Sequence, residues 1–201
     1  MKKIALFGTS ADPPTAGHQT ILRWLARHYD LVVVWASDNP FKQHHTNLQE
    51  RTKMLRLAIA EIDTSQDNIS LHPELSDRRT LITVNKAQEK WGKETEFTLV
   101  IGSDILSQIT SWYRIEELLT EVKILVVPRP GYKINATDLE ALKNLGGRCS
   151  IATLNAPKVS SSAYRLQGDE SVLTPAVEKY ILRQGLYDVE PENSNQETEK
   201  V

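Results

Sequence analysis

The chain has 201 residues, with 24 basic and 26 acidic side chains and a formal net charge of −2. That length suits one domain with a small appendage, and 40% apolar residues can build a sizeable core. The balanced charge excludes a global pull toward nucleic acid or a membrane surface, so any bound phosphate must be held by local positive groups.

Short apolar runs alternate with helical patterns along the chain. Residues 4–7 read as a strand ending at Gly8, and residues 15–27 as a helix with Ile21, Leu22 and Leu25 on one face. The run LVVVWA, residues 31–36, reads as a strand buried on both sides. A polar loop follows. Asn47 with Glu50 three residues later marks a capping box, and the helix behind it carries Met54, Leu55, Ala58 and Ile62. Residues 69–72 form a third strand, and Leu81, Val84, Ala87 and Trp91 stripe a helix beginning near Thr80. Residues 97–101 and 122–127 are strong strands, with short helical segments over 105–109 and 115–119 between them. A helix over 137–145 and a strand over 150–154 come next. Thr174 and Pro175 open the last helix, with proline at its first position, and Gly185 closes it.

This alternation predicts an α/β fold: a Rossmann-like, doubly wound parallel sheet flanked by helices, over residues 1–187. Residues 188–201 are polar and acidic without apolar periodicity, which predicts a disordered tail. The single cysteine, Cys149, excludes an internal disulfide and makes a reducing compartment the default. The apolar run at the N-terminus is too short for a signal-peptide core, and no stretch reaches the roughly 20 residues that span a bilayer. The expectation is a soluble, cytoplasmic protein.

Two stretches could carry chemistry. The first is GTSADPPTAGH, from Gly8 to His18, between the first strand and the first helix. Ligands of open α/β sheets bind at such strand ends. Gly8 would let a nucleotide approach the backbone closely, Thr15 would cap the helix, and His18 would fall in its first turn, where free N–H groups attract phosphate. The second is VSSSAYR, residues 159–165, where Ser161 and Ser162 could start a helix and Arg165 could fork phosphate oxygens. Taken singly, each stretch is better read as a capped helix, one with a partly exposed histidine and the other with a surface arginine. His44 and His45 beside Asp38 invite a metal reading, but adjacent histidines in a polar loop are more often solvated and their spacing fits no structural zinc pattern. Cys149 reads as a small packing residue.

Together, in order, these stretches make the chain resemble the bacterial nicotinate-nucleotide adenylyltransferases, within the T/HxGH nucleotidyltransferase superfamily. The likeness runs from Lys3 to about Tyr187. It includes Pro40-Phe41-Lys42, the helix from Arg51 to Ala58, Ile101-Gly102-Ser103-Asp104 followed by Trp112, Arg129-Pro130-Gly131, the Ser161–Arg165 stretch, and the ending Gly185-Leu186-Tyr187. The sequence departs from the family at Gly8-Thr9-Ser10-Ala11 and at Thr15, where a histidine is usual. It also departs at residues 79–84, where the tyrosine and aspartate of a pyridine-binding stretch are missing and Arg79 is new.

The resemblance implies adenylyl transfer from ATP to nicotinate mononucleotide, giving deamido-NAD and pyrophosphate, with Mg²⁺ carried by the ATP phosphates and no metal ligands on the protein. It implies that His18, Lys42 and Arg165 act in catalysis. Gly8, Thr9, Ser10, Thr15, His18, Gly102, Asp104, Ser161, Ser162 and Arg165 would contact ATP. Lys42, Thr80, Asp104, Trp112 and Arg129 would contact the mononucleotide, Trp112 by stacking on the pyridine. Arg79 would favour nicotinate over nicotinamide. Neither nucleic acid nor membrane is expected as a partner, and a homo-oligomer is left open. Rival readings stay open at this point. One is the same chemistry on nicotinamide mononucleotide or phosphopantetheine, or with a cytidylyl group. Another is a non-catalytic nucleotide sensor on the same fold. A third, a fragment of a class I tRNA synthetase, fits poorly with balanced charge and no anticodon-binding extension.

Overall fold

The computed structural model describes residues 1–39, 42–154, 157 and 159–187. Six strands, β1 (Lys3–Thr9), β2 (Leu31–Ala36), β3 (Ile69–Leu71), β4 (Glu96–Gly102), β5 (Lys123–Val127) and β6 (Cys149–Ile151), form one sheet in the order β3-β2-β1-β4-β5-β6. Every pairing among them is parallel. Parallel neighbours need crossovers, and helices supply them. These are α1 (Ala16–His28), α2 (Leu48–Ala60), α3 (Thr80–Trp91), α4 (Ile115–Glu121) and α5 (Ala136–Asn144), with α6 (Ser161–Gln167) and α7 (Pro175–Gln184) closing the chain. The chain winds outward from β1 to β3, then returns to place β4 against the other side of β1. That reversal opens a crevice at the carboxyl ends of β1 and β4.

The sheet is covered on both faces because its strands alternate two apolar sets. Ile4, Leu6, Val33, Trp35, Leu99, Ile101, Ile124 and Val126 face α3, α4 and α5, meeting Leu81, Val84, Leu118 and Leu142. Ala5, Phe7, Val32, Val34, Val100, Leu125 and Val127 face α1 and α2, meeting Ile21, Leu22, Leu25 and Leu55. The last helices make a third cluster: Tyr164, Val177 and Ile181 pack on Met54 and Ala58 of α2. So α2 joins the sheet to the C-terminal helices.

The expected doubly wound sheet is what forms, with differences at its ends. The helical segment expected over 105–109 is a run of turns ending in one 3₁₀ turn at Ile109–Ser111. The expected strand at 150–154 is β6, which begins at Cys149 itself and ends at Ile151. Asn47 accepts from the Glu50 N–H as a capping box requires, but the Glu50 carboxylate turns away and accepts from the Tyr180 hydroxyl, 2.7 Å. Thr174, Pro175 and Gly185 start and stop α7 as expected, Gly185 in the left-handed conformation with φ 59°. Residues 188–201, expected as a disordered tail, lie outside the described residues, as do Pro40 and Phe41. Among the described residues no helix is long and apolar enough to cross a membrane.

Candidate active site

The crevice is a cleft of about 500 Å³, and every residue expected to act in catalysis or to contact ATP or the mononucleotide lines it, whereas Asp38, His45 and Cys149 do not. Gly8, Thr9, Ser10, Thr15 and His18 come from the end of β1 and the start of α1. Lys42 comes from the loop after β2, and Thr80 from the start of α3. Gly102, Asp104, Trp112 and Arg129 come from the ends of β4 and β5. Ser161, Ser162 and Arg165 come from α6. Residues up to 157 positions apart, Gly8 and Arg165, are thus brought to one cleft, because each sits where its strand or helix meets the same edge of the sheet.

His18 is 5% exposed. It takes the place of the glutamate or glutamine of a capping box: the Thr15 N–H donates to its Nδ1 at 3.0 Å. Nδ1 therefore accepts, and the proton sits on Nε2, which lies 2.9 Å from the Thr9 hydroxyl at the cleft wall. Burial, and then the positive charges of Arg129 and Lys42, push the imidazole down to about 3. At neutral pH it is an uncharged N–H donor.

Opposite it stands an ion cluster. Arg129 Nη1 donates to Asp104 Oδ2 at 2.8 Å, and Lys42 Nζ lies 3.8 Å from the same oxygen. Burial chiefly holds the Lys42 ammonium below its usual range, with Asp104 opposing the shift. Asp104 Oδ1 is buried and has no hydrogen-bond partner among the described residues. Ser103 fixes this corner by accepting from the Arg129 N–H and donating to the Tyr132 carbonyl. Gly102 is needed for the same corner, since a Cβ there would lie 2.2 Å from Asp104 Oδ1 and 2.9 Å from Arg129 Cδ.

Two of these residues have structural tasks besides lining the cleft. A Cβ on Gly8 would lie 2.6 Å from the Trp35 ring, its direct partner in the β1–β2 register, so Gly8 makes room for the indole that forms the wall. The helix starts at Ser161 as expected, and the residue before it is its cap: Ser160 Oγ accepts from the Ala163 N–H. Ser161 is freed to donate to the Pro13 carbonyl at 2.7 Å. Arg165 donates to the Asp12 carbonyl and to Ser162 Oγ. Among the described residues no group of three or more His, Cys, Asp or Glu gathers as a metal site, the His44–His45 loop included.

Two buried charges had no functional reading in the sequence. Asp12 is 3% exposed and accepts from the His45 N–H at 2.6 Å, the Thr46 hydroxyl at 2.9 Å and the Tyr187 hydroxyl at 2.6 Å. Burial pushes its carboxyl up, but these hydrogen bonds, Tyr187 foremost, hold it below the ordinary value. Arg51 is 1% exposed and donates to the carbonyls of Ser10, Ser37 and Thr46. The pair knits the loops after β1 and β2 to α2, α6 and the chain's end. Both letters stood inside quoted motifs, but burial of a charge is a tertiary property that neighbouring letters do not carry.

Residues 6–167 match the cytidylyltransferase-like family. A Synechocystis protein named "Probable nicotinate-nucleotide adenylyltransferase" is 44% identical over 197 residues, covering 92% of this chain and 98% of its own. The chain belongs to the nicotinate-nucleotide adenylyltransferase family. A Bacillus cereus member with the same name is 30% identical over 204 residues, covering 94% of this chain and 100% of its own. The fold of the family is also seen in a solved structure, Plasmodium falciparum nicotinic acid mononucleotide adenylyltransferase complexed with NaAD. It is 22% identical, with a TM-score of 0.77 over 94% of this chain and 99% of that one. At that identity the likeness speaks for the fold.

Proposed function

We propose that this adenylyltransferase joins ATP to nicotinate mononucleotide, forming deamido-NAD and pyrophosphate. The observation that carries it is the neutral His18 N–H facing a cleft whose other walls present Lys42, Arg129 and Arg165. In the reaction a 5′-phosphate oxygen of the mononucleotide forms a bond to the α-phosphorus of ATP. The bond from that phosphorus to the bridging oxygen breaks, and pyrophosphate leaves with the electron pair. The attacking oxygen is already anionic, so no strong general base is required. Positioning and neutralisation of charge do the chemistry. His18 Nε2–H exchanges Thr9 for a phosphate oxygen. Arg165, Lys42 and Arg129 hold the transferred and leaving groups. The half-satisfied Asp104 carboxylate suits ribose hydroxyls, which would donate to its unpartnered Oδ1.

Mg²⁺ fits this site as a passenger on the phosphates. Asp104 Oδ2 is already engaged by Arg129 and faces Lys42, so it is poorly placed as a metal ligand. The ion, when bound, neutralises phosphate charge.

The test is pyrophosphate release from ATP and Mg²⁺ with nicotinate mononucleotide, nicotinamide mononucleotide and phosphopantetheine in parallel, and His18→Ala as control. Release with nicotinate mononucleotide that the variant loses supports the reading. Release only with another acceptor keeps the superfamily chemistry and discards this substrate. ATP binding without release from any acceptor favours a sensor.

A further inference from the structure

The cleft's cations are not alike. Lys42 and Arg129 face Asp104, Arg165 is tied to the Asp12 carbonyl and Ser162, and Arg78 pairs with Asp38. Arg79 also lines the cleft, and among the described residues it has no carboxylate within ion-pair distance of its side chain. Nearby Asp77 instead accepts from the Arg79 backbone N–H and pairs with Lys86. What holds the Arg79 guanidinium is the ring of Tyr113, 4.4 Å below it. A cation–π contact of this kind does not consume the N–H donors of the fork. Tyr113 follows Trp112, whose indole also faces the cleft. This end of the cleft is therefore an aromatic wall with a cation that feels the nearby Asp77 charge but has no ion pair of its own among the described residues.

The two substrates of the proposed reaction each carry one planar ring. Adenine bears no anionic substituent. The pyridine of nicotinate mononucleotide bears a carboxylate, and its amide counterpart bears a neutral group. We infer that Arg79, oriented by Tyr113, receives the pyridine carboxylate and is the residue that discriminates the acid from the amide. This rests on the adenylyl-transfer reading above. A planar fork meeting a planar carboxylate gives two parallel charge-assisted hydrogen bonds, which a carboxamide cannot reproduce because its NH₂ would face the donors.

The experiment is the ratio of kcat/KM for nicotinate mononucleotide over nicotinamide mononucleotide, in the unaltered protein and in Arg79→Ala, Arg79→Lys and Tyr113→Leu. One hydrogen-bonded charge contact is worth roughly ten- to a hundredfold, so Arg79→Ala is expected to lower the ratio by about that factor through the acid alone. Turnover of the amide should stay within about twofold. Arg79→Lys and Tyr113→Leu are expected to fall between, since lysine keeps the charge without the fork and leucine removes the ring that aims it. A ratio unchanged by Arg79→Ala, or a loss shared equally by both substrates, would overturn the inference. Arg79 is exposed, so the variant is expected to fold, and its melting temperature checks this. If the unaltered protein forms no deamido-NAD, the underlying reading fails first and takes the inference with it.

Discussion

Replacing Tyr187 by Phe removes one oxygen and keeps the ring that meets Tyr164 edge-on, 5.7 Å between centroids. The lost hydroxyl is one of three donors to a carboxylate that is 3% exposed. A hydrogen bond to a charged group contributes about 2 kcal/mol, so its loss also lets the Asp12 pKa rise. For a chain of this size, that lowers the melting temperature by about 4–8 °C at pH 7. The pH dependence has a definite sign. The folded Asp12 lies below its ordinary value of 3.8, so its stabilising effect is present above that value and is lost as pH falls through the folded one. The variant's deficit should therefore be full at pH 7 and shrink only below about pH 4. Thermal unfolding by calorimetry across this range measures both. An unchanged melting temperature at pH 7, or a deficit that grows as the pH falls from 7 to 4, would refute the assignment of Tyr187 as a support of Asp12.

Two further outcomes are expected. By NMR, the His18 imidazole should show no titration midpoint between pH 5 and 8, since burial and then Arg129 and Lys42 push it to about 3. Its contribution to stability is present above pH 6.5 and declines as pH falls toward 3, and a midpoint near 6.5 would contradict this. Gly102→Ala should cost about 10²-fold in kcat/KM, because the added Cβ displaces Asp104 and Arg129 by an ångström or so. A variant within twofold of the parent would show that this corner does not position substrate.

The sheet was legible because parallel strands buried on both faces must be apolar throughout, and LVVVWA and the run from Phe97 to Ile101 are. The cleft was legible wherever a site residue sits at a strand end next to a glycine or a helix start, as Thr15, His18, Gly102 and Asp104 do. The reading failed where a residue's role depends on distant parts of the chain. Gly8 lines the cleft, but that it also leaves room for Trp35 on the neighbouring strand is not visible from the residues around it. Three consecutive serines cannot announce which of them caps the helix; Ser160 does, because Ser161 has the Pro13 carbonyl to satisfy. Asp12, before a proline pair, reads as a turn residue, although its hydrogen-bond partners include one 175 positions away.

That distance sets an order of events when the chain is made. Asp12 leaves the ribosome first among the cleft's residues with a side-chain charge, and Tyr187 is the last described residue to follow. All six strands are available once Ile151 has emerged, so the sheet can assemble with the loop after β1 still missing one of its two 2.6 Å hydrogen bonds. Completing the loop needs Tyr187, which lies just beyond α7, the helix that packs on α2.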